Sequence, residues 1–151
     1  MITFSANVTC YSASLFSFTN INNGNFNFVP ISSENLPNPV TLIGPADESV
    51  LTIDGDNADS QTGIFWTSST DPGNNSVDYI LELFVENTGD TLDTTLTSSY
   101  IFLEHQEFLD YMLDSEVTHL DIVWDVYTLG GFEGVESSNG PWNLTIDGGW
   151  A

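Results

Sequence analysis

Ile2-Thr-Phe-Ser-Ala-Asn-Val-Thr-Cys10 places an apolar side chain at every even position and a polar one at every odd position. That two-residue period is the mark of a strand with one face buried and one face wet. Beyond Tyr11 the alternation loosens through Leu15, Phe16 and Phe18, then meets Asn22-Asn23-Gly24, with Phe26 and Phe28 alternating after it. Asn-Gly between apolar alternations supplies the positive φ angles of a tight hairpin turn. The stretch from Ser32 to Pro39, carrying Pro37 and Pro39, breaks the pattern. It divides an N-terminal β arm, residues 1–35, from a main domain, residues 36–151.

The main domain repeats the same alphabet in shorter pieces. Val40–Ile43, Val50–Ile53, Gly63–Trp66, Val77–Val85, Thr91–Leu96, Leu120–Tyr127 and Trp142–Ile146 are apolar or alternating runs separated by clusters of Gly, Pro, Asn and Asp. Short strands joined by turns of this kind predict two antiparallel sheets packed face to face. One segment departs from the period of two: Glu104 to Leu113 sets Phe108, Leu109, Met112 and Leu113 at helical spacing among acidic residues. A short helix over one end of the sandwich is expected there.

Composition bounds what such a domain can do. The chain has 151 residues, enough for one sandwich of about 100 residues and an appendage. Its hydrophobic fraction of 40% and aromatic fraction of 13% suffice for a core, so the acidity is not that of a disordered tail. There is no Lys or Arg against 22 Asp and Glu, a formal charge of -22. Binding nucleic acid or an anionic membrane surface relies on cationic side chains, so both partners are excluded. A salt-rich habitat is one setting that selects such a surface. What it attracts is divalent cations, and calcium is the natural candidate. Cys10 is the sole cysteine and forms no disulfide within the chain. No charged leader and no apolar run near 18 residues is visible, so no membrane insertion is expected.

Across about residues 36–147 the chain resembles the fibronectin type III and immunoglobulin-like modules of bacterial cell-surface proteins. The likeness is carried by Pro39-Val-Thr-Leu-Ile-Gly-Pro45, by Ile64-Phe-Trp66 with the turn from Ser69 to Tyr79, and by Ile122-Val-Trp-Asp-Val-Tyr127. The helical insert after Tyr100, leading into the Trp124 strand, is similar to that of SusE-type outer-membrane starch-binding lipoproteins. Those relatives usually place Arg after the Trp, where this chain has Asp125. The resemblance implies an all-β, antiparallel immunoglobulin-like or fibronectin III-like β-sandwich with one short helix and an extended N-terminal arm. It also implies a role at the cell surface, and it brings no catalytic residues.

The residues themselves allow a short roster of sites. Trp66 and Trp124, with Tyr79 and Val126, are expected in the core, where large rings bury area between the sheets. His105 and His119 have neither a nucleophile elbow nor metal-ligand spacing around them, so solvated loop histidines and no enzyme activity are expected. Asp54, Asp56 and Asp59 crowd carboxylates into one turn, an oxygen-rich candidate for calcium, and Asp71, Asn74, Asn75 and Asp78 form a second such turn. Turn geometry alone explains the same residue types. Asn7, Asn74 and Asn143 head glycosylation sequons. Trp142, Trp150, Phe132 and Tyr127 are candidates for stacking on sugar rings if exposed.

The arm is the informative feature. A finished sandwich has no need of Ile2, Phe4, Ala6, Val8 and Cys10 on one continuous apolar face. That face wants a sheet, either its own or that of a neighbouring copy. The expectation is therefore a subunit of an extracellular fibre or pilus-like filament, a homopolymer held by donated strands. A monomeric glycan-binding or adhesive surface domain is the alternative.

Overall fold

The computed structural model describes residues 16–18, 28–30, 36–73, 75–130 and 134–149. Two short strands of the N-terminal region, β1 (Phe16–Phe18) and β2 (Phe28–Pro30), pair antiparallel with Phe18 opposite Phe28 and Phe16 opposite Pro30. The midpoint of that register is Asn23, inside the Asn-Asn-Gly signal. Ile2, Phe4, Ala6, Val8 and Cys10 lie outside the described residues.

From Leu36 onward the protein is an all-β sandwich with one short helix. Its larger sheet runs in the order β4 (Ser49–Thr52), β11 (Trp142–Asp147), β9 (His119–Leu129), β6 (Asp78–Val85), β7 (Asp90–Leu96). The two-residue β10 (Gly134–Val135) also pairs with β9, beyond the end of β11. Opposite lies a narrower sheet in the order β3 (Leu42–Gly44), β5 (Gln61–Trp66), β8 (Tyr100–Glu104). Neighbours are antiparallel except β4, which runs parallel to β11 with Val50 opposite Thr145. The seven runs read from the sequence are therefore seven of these strands.

Alternation explains why each strand sits where it does. On β6, Tyr79, Leu81, Leu83 and Val85 are buried while Asp78, Ile80, Glu82 and Phe84 face outward. On β9, Leu120, Ile122, Trp124 and Val126 repeat the same phase. These rows meet Leu42, Ile64 and Trp66 of the small sheet in one core with Leu144 and Ile146. Trp66 packs edge-on against Tyr79 at 5.8 Å, and Trp124 against Trp142 at 5.9 Å. The Tyr79 hydroxyl accepts a hydrogen bond from the Ser69 amide, tying the turn before β6 to the core.

The helix, α1 (His105–Asp114), starts one residue later than the sequence pattern suggested, with Glu104 as its N-cap. It buries His105, Leu109 and Met112. It ends in a Schellman arrangement, in which the Glu116 amide donates to the Leu113 carbonyl and the Val117 amide to the Met112 carbonyl. Glu116 holds φ of 57°, the left-handed conformation that glycine usually supplies.

Two strands went unread in the sequence. β8 is the run Tyr-Ile-Phe-Leu-Glu, apolar at four consecutive positions, so it shows no alternation and was absorbed into the helical insert. β10 is too short to leave a pattern.

Candidate functional site

The two sheets differ in width, and the consequence is concentrated on one side. Leu92 and Thr94 of β7 stand opposite Leu83 and Leu81 of β6, so they point toward the interior. The small sheet ends at β8 and does not cover them: Leu92 remains 45% exposed. Between β7 and β8 lies a cleft of about 470 Å³, lined among others by Leu83, Leu92, Thr94, Leu103, Phe108 and Tyr111. α1 roofs it at one end, where the Tyr111 hydroxyl donates to Asp90 Oδ2 at 2.5 Å and lies 2.6 Å from Thr88 Oγ1.

The other side of the small sheet is closed. Asn139 lies alongside β3, its Oδ1 accepting from the Leu42 amide at 2.8 Å and its Nδ2 donating to the Leu42 carbonyl at 3.1 Å. One side chain thus occupies the place of a neighbouring strand. The Ser138 amide adds a bond to the Val40 carbonyl at 2.8 Å. Beneath this latch Asp125 is buried on the outer face of β9, accepting from Ser137 Oγ and from the Val126 amide. Ser137 Oγ in turn accepts from the Gly140 amide at 2.9 Å. Any side chain at Gly140 meets Ser137 Oγ at 2.5 Å and Asp125 Oδ1 at 2.6 Å, so only glycine lets the latch close this tightly. Asp125 therefore anchors the latch.

With β3 covered, β8 is the edge of the small sheet left without a ladder partner among the described residues. Its outer face is aromatic. Tyr100 and Phe102 are 50% and 51% exposed, and Phe65 of β5 is 39% exposed beside them. The three ring centroids lie 5.8 to 6.4 Å apart. Gly63 makes the cluster possible, because the Phe65 ring lies over it at 2.4 Å from where a Cβ would be. Sequence reading missed this cluster along with β8, although the unbroken run from Tyr100 to Leu103 was its signal.

The sequence-derived candidates fall in other places. Trp66, Tyr79, Trp124 and Val126 are all buried. Asp54, Asp56 and Asp59 share one turn, within which Asp54 Oδ1 accepts from the Asp56 amide and Asn57 Oδ1 accepts from the Asp54 amide. Among the described residues no three or more His, Cys, Asp or Glu converge as metal ligands. Asp71 likewise bonds within its turn, its Oδ2 accepting from the Gly73 and Asn75 amides. Asn143 is exposed on β11, whereas Asn7 and Asn74 lie outside the described residues. Tyr127 and Trp142 are half-buried against their own sheet, and Phe132 and Trp150 lie outside the described residues.

The expectation of two solvated histidines holds for one. His119 is exposed, 3.4 Å from Asp121. His105 is buried at the start of α1, its Nδ1 donating to the Asn57 carbonyl at 2.8 Å, which leaves Nε2 to accept from Thr62 Oγ1 at 2.7 Å. It clasps the Asp54–Asp59 loop to the helix, a structural task that spacing alone did not reveal.

Charge is partitioned as unevenly as burial. All 22 acidic residues lie at Glu34 or beyond, so residues 1–33 carry no formal side-chain charge. On the body, the Tyr127 phenol is held above its ordinary pKa by burial and then by the carboxylates of Glu82, Asp125, Glu136 and Asp93. Among the described residues no helix is long and apolar enough to cross a membrane. Comparison with family models, curated proteins and solved structures found no match.

Proposed function

We propose that this chain is a structural subunit of an extracellular, pilus-like bacterial filament, built head to tail by donation of the N-terminal strand to a neighbouring subunit. The observation that carries this reading is the open side of the sandwich, where the edge of β8 that has no ladder partner among the described residues borders an apolar cleft. An exposed, largely apolar edge invites uncontrolled association unless a strand is destined for it. Ile2–Cys10 has the alternating sequence of such a strand, and heterologous contacts of this kind extend into open filaments. The uncharged arm supports the reading further, since an acidic donor would be repelled by an acidic acceptor.

The strand order supports the family likeness on which the cell-surface setting rests. β3, β5 and β8, the first, third and sixth strands of the body, form one sheet, with the remainder in the other, and the chain crosses between sheets after β3 so that β4 runs parallel to β11. Immunoglobulin-like sandwiches divide their strands in a similar way.

Removing residues 1–20 tests the proposal. Native material viewed by electron microscopy is expected to be filamentous, and the shortened chain is expected to run as a single subunit on size exclusion. A shortened chain that still forms filaments ends the donation reading.

One observation favours a second reading, a monomeric glycan-binding or adhesive domain: the exposed Phe65, Tyr100 and Phe102 cluster offers ring faces of the sort sugars stack on. A glycan array separates the two. Binding by a monomer, abolished by Phe102→Ala and indifferent to loss of the arm, favours adhesion.

A further inference from the structure

We infer that the acceptor for the arm is the cleft between β7 and β8, with residues 2–10 hydrogen-bonded along the free edge of β8 and Ile2, Phe4, Ala6 and Val8 directed between the sheets. This rests on the donation reading for its direction, from one copy to the next, but the site stands on its own geometry.

Four observations converge on it. β8 from Tyr100 to Glu104 has main-chain groups paired to β5 on one side alone among the described residues, so a strand can be added on the other. A strand added there continues the small sheet out over β7 and covers Leu92 and Thr94, inward-facing residues that the described residues leave exposed. Because successive residues alternate between faces, one side of the added strand must be apolar to meet Leu83, Leu92, Leu103 and Phe108, while the other lies beside Tyr100 and Phe102 and faces solvent. Ile2–Cys10 has that alternation without interruption.

Charge selects the same segment. Asp93 and Glu107 line the cleft and Asp90 bonds to Tyr111 at its end, and no Lys or Arg exists in the chain to neutralise an acidic guest. Residues 1–33 bring no carboxylate, and within them residues 2–10 have the longest unbroken alternation. The opposite edge of the small sheet is unavailable, since Asn139 already occupies it. On the outer edge of β4, Val50 and Thr52 are exposed, and on that side of the sandwich the edge of the small sheet is β3, which Asn139 covers.

Cys10 makes the test direct, because it is the sole native thiol. In the full-length protein, Thr94→Cys and Glu107→Cys place a second thiol at positions lining the cleft, so that either direction of threading brings Cys10 near one of them. Thr52→Cys, on β4, is the control. Native filaments are oxidised mildly and separated without reductant. A ladder of covalent multimers from Thr94→Cys or Glu107→Cys, absent from Thr52→Cys and abolished by Cys10→Ser, is the expected result. Cross-links solely within single chains keep the cleft as the site and overturn donation to a neighbour. Filaments that persist without cross-links at either cleft position, or that cross-link through position 52 instead, overturn the cleft and leave donation intact.

A second variant guards against a poorly placed thiol. Leu92 is partly exposed, so Leu92→Asp is expected to leave the melting temperature of the unassembled subunit nearly unchanged. It puts a carboxylate where the arm's apolar face must lie, and is expected to raise the concentration needed for assembly by roughly tenfold or more. Assembly of Leu92→Asp at the wild-type concentration overturns the inference.

Discussion

Replacing Asn139 with alanine removes both hydrogen bonds that close the β3 edge. The Leu42 amide loses its 2.8 Å acceptor and the Leu42 carbonyl loses its 3.1 Å donor, in a residue 2% exposed. Each bond is worth about 1 kcal/mol net, and a backbone group left dry costs about 1–3 kcal/mol. The Asn139 side chain is only part-buried, so water reaches part of the vacated space, and about 2–3 kcal/mol is the expected total. For a sandwich of this size 1 kcal/mol moves the melting temperature by about 4 °C, giving a fall of about 8–12 °C. Thermal unfolding followed by circular dichroism reads it. Two controls fix the mechanism. Asn139→Asp keeps an acceptor for the Leu42 amide and loses the donor, so it is expected to fall between parent and alanine variant. Asn38→Ala removes an exposed side-chain bond to Thr70 Oγ1 and is expected to cost under about 0.5 kcal/mol. If Asn139→Ala melts like Asn38→Ala, the amide is not standing in for a strand and the account of a closed edge fails.

Three further outcomes follow from local geometry. Gly140→Ala drives a Cβ into Ser137 Oγ, Asp125 Oδ1 and Leu42 Cδ1, and is expected to cost about 1–3 kcal/mol in chemical denaturation. Glu116→Gly relieves a left-handed residue and withdraws a carboxylate from a helix C-terminus, so it is expected to stabilise by about 1 kcal/mol; a lower melting temperature contradicts it. Tyr127 has its folded pKa raised above 10.0, meaning the fold retains a proton that the unfolded chain releases. Stability is therefore undiminished below about pH 10 and falls as pH climbs through the raised value. An ultraviolet titration of Tyr127→Phe against the parent should show the missing tyrosine to be a late-ionising one.

Salt gives a prediction about assembly itself. Subunits of formal charge -22 repel one another, and no Lys or Arg can offset that repulsion across a contact. The screening length shortens from about 30 Å at 0.01 M to about 8 Å at 0.15 M ionic strength. Light scattering is expected to show the assembly threshold falling as sodium chloride rises. A threshold that rises with salt contradicts main-chain and apolar burial as the cement.

Much of the fold is legible in the sequence because strands buried on one face write their period directly. Val77–Val85 and Leu120–Tyr127 alternate and became β6 and β9. The helix was legible from Phe108, Leu109 and Met112, and its end at Asp114 falls one residue beyond the Leu113 read from the sequence, although the Schellman turn on Glu116 lacks its usual glycine. β8 was illegible for a physical reason: Ile101 and Leu103 face the core while Tyr100 and Phe102 face outward, so both faces are apolar and the period vanishes. The cleft went with it, since its existence depends on which sheet is narrower, a property of pairing that no single segment carries. His105 and Asn139 act through partners 48 and 97 positions away, beyond any spacing rule.

That distance of 97 positions between Asn139 and Leu42 sets an order of events during synthesis. β3 emerges early and pairs with β5 well before the latch exists, and β4 must wait equally long for β11, its parallel partner. A nascent chain therefore carries its early strands with incomplete edges until the last stretch from Ser137 to Asp147 leaves the ribosome. The eleven residues from Ser137 to Asp147 complete the sandwich at both layers, and a chain halted before Asn139 is expected to be sticky along β3, a vulnerability the finished molecule does not have.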